Sequence, residues 1–157
     1  MKQADKTNVM RFLDSKKIQY RSHYYEADPT LTGEQIASLL NEQVDHVYKT
    51  LVTKGKSGEH YVFVVPVCGE LDLKKAASAA GEKSIEMIRQ KELLPLTGYV
   101  HGGCSPIGMK KTFPTFIHSS AESFDYICVS AGRVGAQIEI NPHDLSKLMP
   151  CVFSEII

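Results

Sequence analysis

Lys49 stands in an otherwise apolar stretch, with Val47 and Tyr48 before it and Leu51 and Val52 after it. An ammonium group among such neighbours must reach water or be held by a partner. One role for it is to discourage pairing at the edge of a β-sheet. The other is to stand at the mouth of a pocket and hold a carbonyl or anionic oxygen. A second chemical feature is the run Gly102-Gly103-Cys104-Ser105-Pro106-Ile107-Gly108. Glycines let backbone N–H groups come close to a ligand, so such a loop suits a carbonyl, a ribose or a phosphate, or is simply a turn. Its spacing matches neither the P-loop nor the dinucleotide fingerprint.

Cys104, three residues after His101, has the composition of a nucleophile with a base. No third residue orients such a pair, and an isolated cysteine is ordinarily inert. Cys68, Cys104, Cys128 and Cys151 form no C-x-x-C pair, and His23, His46, His60, His118 and His143 fall at no metal-ligand spacing. No metal and no cofactor are therefore expected. Asp144 lies in the first turn of a short helix, where a carboxylate favours the positive dipole end; its other reading is a group pointing back across the sheet toward Lys49. Ser130 precedes Gly132 at a strand end and can bind substrate or begin a turn. Tyr25 is either a pocket wall or ordinary core.

The elements that must position these residues are legible from periodicity. Val9, Phe12 and Leu13 behind Thr7 predict an opening amphipathic helix, and residues 19–25 a strand. Thr32 and Gln35 have capping-box spacing ahead of a short helix with Ile36, Leu39 and Leu40 as its buried stripe, ending near Asn41. Residues 49–53 and 60–65 flank Lys56-Ser57-Gly58 as a hairpin. Asp72 to Ala80, closed by Gly81, predicts a helix with a small-residue face. Residues 85–88 suggest a short strand, followed by a polar stretch to Pro95. Residues 115–118, 126–130 and 137–140 add three strands, Asn141-Pro142 starts a short helix, and residues 152–157 return as an edge strand. The sum is an α+β fold, a single domain over residues 1–157, with a curled, barrel-like mixed sheet flanked by helices.

Bulk composition excludes several classes. With 43% hydrophobic and 23% charged residues, the chain reads as an ordinary globule. Eighteen basic residues balance eighteen acidic ones, so no global field holds a polyanion, and a nucleic-acid partner must be met locally. Lys54 with Lys56, Lys74 with Lys75, and Lys110 with Lys111 are the local basic clusters. No apolar run approaches the ~20 residues that cross a membrane, and the polar start lacks the core of a signal peptide, so a soluble, cytoplasmic protein is expected.

Four blocks in order carry a family likeness: Lys49-Thr50-Leu51; Gly98-Tyr99-Val100 with residues 102–108; Ser130-Ala131-Gly132-Arg133-Val134-Gly135; and Ile140-Asn141-Pro142-His143-Asp144-Leu145. Together they resemble the YbaK/EbsC family of free-standing aminoacyl-tRNA deacylases, from about Lys6 onward. The resemblance implies a domain like the editing insert of bacterial prolyl-tRNA synthetase. It also implies hydrolysis of cysteine wrongly attached to proline tRNA, with that tRNA and prolyl-tRNA synthetase as partners. By the same resemblance Lys49, Tyr25 and Asp144 are the catalytic and pocket residues. Thr32, Thr50, Gly102, Gly103, Cys104, Ser105, Ser130 and Gly132 would frame the ester and terminal ribose. The substrate thiol would attack its own carbonyl, which asks the protein for positioning and charge stabilisation rather than a nucleophile. Thr32 stands where many relatives carry an aromatic residue, and Ala131 where many carry glycine. Clearance of alanine or another small amino acid, or a binding module without chemistry, are the alternatives.

Overall fold

Residues 5–157 are described by a computed structural model, in which a hairpin organises the larger of two sheets. Strands β2 (Tyr48–Gly55) and β3 (His60–Pro66) pair antiparallel, with Lys49 opposite Val65. The short strand β4 (Ile85–Met87) joins the far end of β2, while β5 (Thr115–His118) and β8 (Cys151–Ser154) add to β3 in parallel, giving the order β4-β2-β3-β5-β8. A smaller sheet has β7 (Ala136–Ile140) between β1 (Tyr20–Tyr24) and β6 (Ile127–Ser130), all antiparallel. One parallel bridge, Val47 to Cys128, joins the two sheets. The mixed α+β architecture is thus as expected, with the curl realised as two bridged sheets rather than a closed barrel.

Period-two alternation sorts the smaller sheet into two chemically distinct faces. Ile127, Val129, Ala136, Ile138 and Ile140 are buried, and they meet Val52, Val62 and Val64 of the larger sheet in one apolar cluster. The register leaves His23, Cys128, Ser130, Gln137 and Glu139 together on the opposite face. That polar face ends at the candidate site described below.

Among the described residues, four α-helices pack around the strands. Helix α1 (Asn8–Ser15) is capped by Thr7, whose hydroxyl accepts from the Met10 N–H, and it buries Val9, Met10 and Leu13. Helix α2 (Gly33–Leu39) has the full capping box: the Thr32 hydroxyl accepts from the Gln35 N–H and the Gln35 side chain accepts from the Thr32 N–H. Its buried residue is Ala37, not Leu39, which is 59% exposed. Helix α3 (Leu73–Ala80) is capped by Asp72 and ends at Gly81, with φ of 72°. Helix α4 (Gln90–Thr97) replaces the polar stretch expected before Pro95. Pro95 is tolerated because the carbonyl left without its donor, that of Lys91, lies on an exposed turn open to water, and Arg89 closes the first turn against Glu92.

Candidate active site

The rim where the two sheets meet opens into a cleft of about 480 Å³. Three connections and two strand ends build it. The segment from Tyr25 to Ile36, with the start of α2, forms one wall; the first half of β2 with Val67 forms a second; His101, Gly102 and Cys104 form a third; and Ser130, Ala136 and Gln137 close the end of the smaller sheet. Most of the lining is apolar, including Leu31, Ile36, Leu51, Val67 and Leu93. Lys49 is the single lysine or arginine among the lining residues, and it makes no ion pair among the described residues. Its ammonium is therefore available to a bound oxygen, in surroundings where charge interactions are screened less than in bulk water.

The sequence-selected residues divide into those gathered here and those placed elsewhere. Lys49, Tyr25, Thr32, Thr50, Gly102, Cys104 and Ser130 all line the cleft. Burial raises the Tyr25 phenol above its usual value, so it remains a neutral hydroxyl there. Gly103 sits behind the lining: its N–H donates to the Val100 carbonyl at 3.0 Å, and its bare Cα lies against the backbone of Arg133 and Val134. Ser105 is fully buried, accepting from the Ile107 N–H at 3.2 Å, and so shapes the loop rather than meeting a ligand. Gly132 donates its N–H to the Ser130 hydroxyl at 3.2 Å and lines a neighbouring cleft.

Asp144 departs from expectation. It belongs to the 3-10 turn Pro142–Lys147, pairs with Lys147 at 2.8 Å, and lines a different cleft with Asp14, Arg21 and Asp125. The end of β7 that meets Ser130 is Ala136 and Gln137, whereas Asp144 follows Ile140 at the other end, ~13 Å away along the strand. Its carboxylate serves the turn and does not face Lys49.

One residue that sequence reading passed over, Gln137, is prominent. Gln137 is 5% exposed, yet its Oε1 has no hydrogen-bond partner, and it lines the cleft beside Ser130. The Thr50 hydroxyl is likewise buried and unpartnered. Orphaned acceptors of this kind are costly unless a ligand satisfies them. Only the strand alternation shared with Ser130 could have singled out Gln137 in advance.

Cys104 is positioned in the cleft but is not activated. Burial pushes its thiol up to about 12, with no cation beside it to favour the thiolate. Alkylation with iodoacetamide at pH 8 is therefore expected to modify the exposed Cys68 and to leave Cys104 more than ~90% intact, as read by peptide mass spectrometry. Fast modification of Cys104 would restore the nucleophile reading.

The fold also makes a cluster that spacing did not predict. One ligand atom each of His23, Glu42 and Glu139 lie within 4.8 Å of one another, though the residues are scattered along the chain. His23 Nε2 contacts Glu139 at 3.1 Å, while both Glu42 oxygens are buried without partners. Burial raises the Glu42 carboxyl above the usual carboxylate range. A carboxyl whose folded pKa is raised stabilises the protein fully below its unfolded value, and that contribution is lost as pH rises through the folded value. Glu42→Gln should accordingly flatten the fall in stability as pH rises above about 4, measured as the urea midpoint at each pH; an unchanged slope would contradict this.

Comparison with known proteins identifies the family to which this fold belongs. Residues 27–148 match the aminoacyl-tRNA editing domain. EbsC of Enterococcus faecalis, provisionally named a Cys-tRNA(Pro)/Cys-tRNA(Cys) deacylase, is 42% identical over 156 residues, covering 99% of this chain and 95% of the relative. The prolyl-tRNA editing protein ProX of Acetoanaerobium sticklandii is 29% identical over 105 residues, 66% of this chain and 63% of that protein. A crystal structure provisionally described as a trans-editing enzyme for prolyl tRNA synthetase superposes with a TM-score of 0.80 at 21% identity, covering 97% of this chain and 98% of that one. A second, of a hypothetical protein, gives 0.82 at 22% identity over 94% and 99% of the two chains. At those identities the structures speak for the fold. The domain match and the near full-length likeness to EbsC show the rest: this chain belongs to the aminoacyl-tRNA editing domain family.

Proposed function

We propose that the protein hydrolyses the ester joining cysteine to proline tRNA, acting in trans on mischarged product. The observation that carries this reading is an ammonium, Lys49, without an ion-pair partner among the described residues, in a mostly apolar cleft beside Gly102 and Cys104, within a chain 42% identical to EbsC. The cleft suits a small aminoacyl group. Lys49, with the Gly102 and Cys104 N–H groups that have no partner among the described residues, would hold the carbonyl oxygen as it gains charge. The orphaned oxygens of Gln137 and Thr50 would accept from the substrate ammonium.

Among the described residues no activated nucleophile lines the cleft, which supports chemistry supplied by the substrate. Its thiol sulfur forms a bond to the ester carbonyl, the carbonyl-to-ribose bond breaks, and the thiol proton passes to the ribose oxygen. Water then opens the resulting thiolactone to free cysteine. Here the protein orients and stabilises but does not attack.

Proline tRNA charged in parallel with cysteine, alanine or serine tests this. The cysteine ester is expected to turn over fastest, and the serine ester, isosteric but with a far less acidic hydroxyl, only slowly. Equal rates for serine and cysteine would refute the thiol-assisted route, and a preference for alanine would assign the chain to clearance of alanine. Prolyl-tRNA synthetase is the partner we infer, in the cytoplasm. With net charge zero, the isolated protein should bind tRNA weakly and in a salt-sensitive way, and more tightly with the synthetase present.

A further inference from the structure

A second cleft, of about 310 Å³, lies directly behind the candidate active site and has a different character. Lys6, Arg11 and Arg133 line it, and no acidic residue does. Lys6 is held by Asp14 at 2.7 Å, but Arg11 and Arg133 have no acidic partner among the described residues. Arg11 is steadied by the Asn8 side-chain oxygen at 2.9 Å, and the Arg133 guanidinium lies 5.8 Å from the centre of the Tyr24 ring. Two preoriented guanidinium groups in a protein of zero net charge concentrate positive potential where the molecule as a whole has none.

Its location ties this cleft to the first. Ser130 lines the ester cleft, while Ala131, Gly132 and Arg133 line the basic one, so a single segment forms the wall between them. Three residues span at most ~11 Å. The contact is closer still through space, because a Cβ built on Gly103 would lie 2.9 Å from the Arg133 Cα, and Gly102 is in the ester cleft. A strand whose terminal ribose sits by Ser130 therefore meets Arg133 within a nucleotide or two of its end.

We propose that the Arg11–Arg133 cleft is a phosphodiester-binding site that grips the single-stranded 3′ end of the substrate RNA behind the ester. This rests on the deacylase reading for its role but not for its existence, since it concerns RNA binding alone. Guanidinium groups pair bidentately with phosphate oxygens, and such contacts are sequence-independent. The site thus supplies register, bringing any ester-bearing terminus to Lys49, while discrimination among amino acids stays in the ester cleft.

The test is binding of a fluorescent, uncharged single-stranded RNA of six nucleotides, followed by anisotropy over a salt series. Arg133→Gln and Arg11→Gln should each weaken binding about fivefold at 0.1 M salt and flatten the slope of log K against log salt by ~0.7. Lys74→Gln, on helix α3, should change neither. In deacylation assays the two arginine variants should raise KM and leave kcat near the parent value, with circular dichroism melts confirming the fold. Unchanged affinity and slope in both arginine variants would overturn the site even if deacylation is intact. Arginine-dependent RNA binding in a protein that hydrolyses no charged tRNA would uphold the site and refute the deacylase reading instead.

Discussion

Lys49→Ala is expected to lower kcat/KM for cysteine on proline tRNA by about 10²–10³-fold, with the melting temperature nearly unchanged. The size follows from what the ammonium does. As the ester carbonyl becomes tetrahedral its oxygen takes on a full charge, and Lys49 is the only permanent cation among the described residues that line the cleft to meet it. Loss of one preorganised donor at such an oxygen costs ~2.7–4 kcal/mol of barrier. Stability is little affected because Lys49 forms no ion pair among the described residues, so its removal strands no buried charge. Lys49→Arg keeps the charge but changes its shape and reach, so partial activity is expected. Activity of Lys49→Ala within fivefold of the parent would remove the residue from the mechanism.

Gly103→Ala is expected to damage both folding and turnover. The added Cβ would stand 2.8 Å from the Val134 nitrogen and 2.9 Å from the Arg133 carbonyl carbon and Cα, which are backbone atoms that cannot rotate aside. Either the 102–104 loop or the 133–134 segment must move. Overpacking of this kind costs ~1–3 kcal/mol, or a melting temperature lower by roughly 2–12 °C at this chain length. Activity should fall by more than the stability loss implies, about 100-fold, because Gly102 and Cys104 line the ester cleft and Ångström-scale misplacement of a positioned group carries that penalty. Gly58→Ala is the control: it strains a positive φ, of 96°, but meets nothing within 4 Å and lies in the remote β2–β3 turn. It should cost ~1 kcal/mol and leave turnover intact. Parent-like melting and turnover in Gly103→Ala would show that the loop is looser than its packing implies.

Local signals were readable where one stretch of chain decides the outcome. Thr7, Thr32, Asp72 and Gly81 each mark a helix end at the place observed, because a cap is satisfied by residues within a turn of it. The hairpin of β2 and β3 likewise followed from two β-rich runs around a glycine turn. Helix α4 was missed because Pro95 reads as a breaker, and its tolerance depends on exposure of the Lys91 turn. Leu39 was assigned to the buried side of α2 because the period marks a helical stripe but not how much of it the rest of the fold covers.

From the sequence alone came the motif blocks, the fold class, and the ammonium and the glycine-rich loop as separate candidates. These are carried by residue type and by spacing along the chain, which do not depend on distant partners. Tertiary structure alone decided which of the nominated side chains meet. It brought Lys49, Tyr25, Thr50, Gly102 and Ser130 to one cleft, sent Asp144 to the opposite end of β7, and exposed Gln137 as an orphaned acceptor. It also assembled His23, Glu42 and Glu139 from three separate segments. The reason is geometric: strand register and the crossing of two sheets turn positions remote in sequence into neighbours, and neither is encoded in any local spacing.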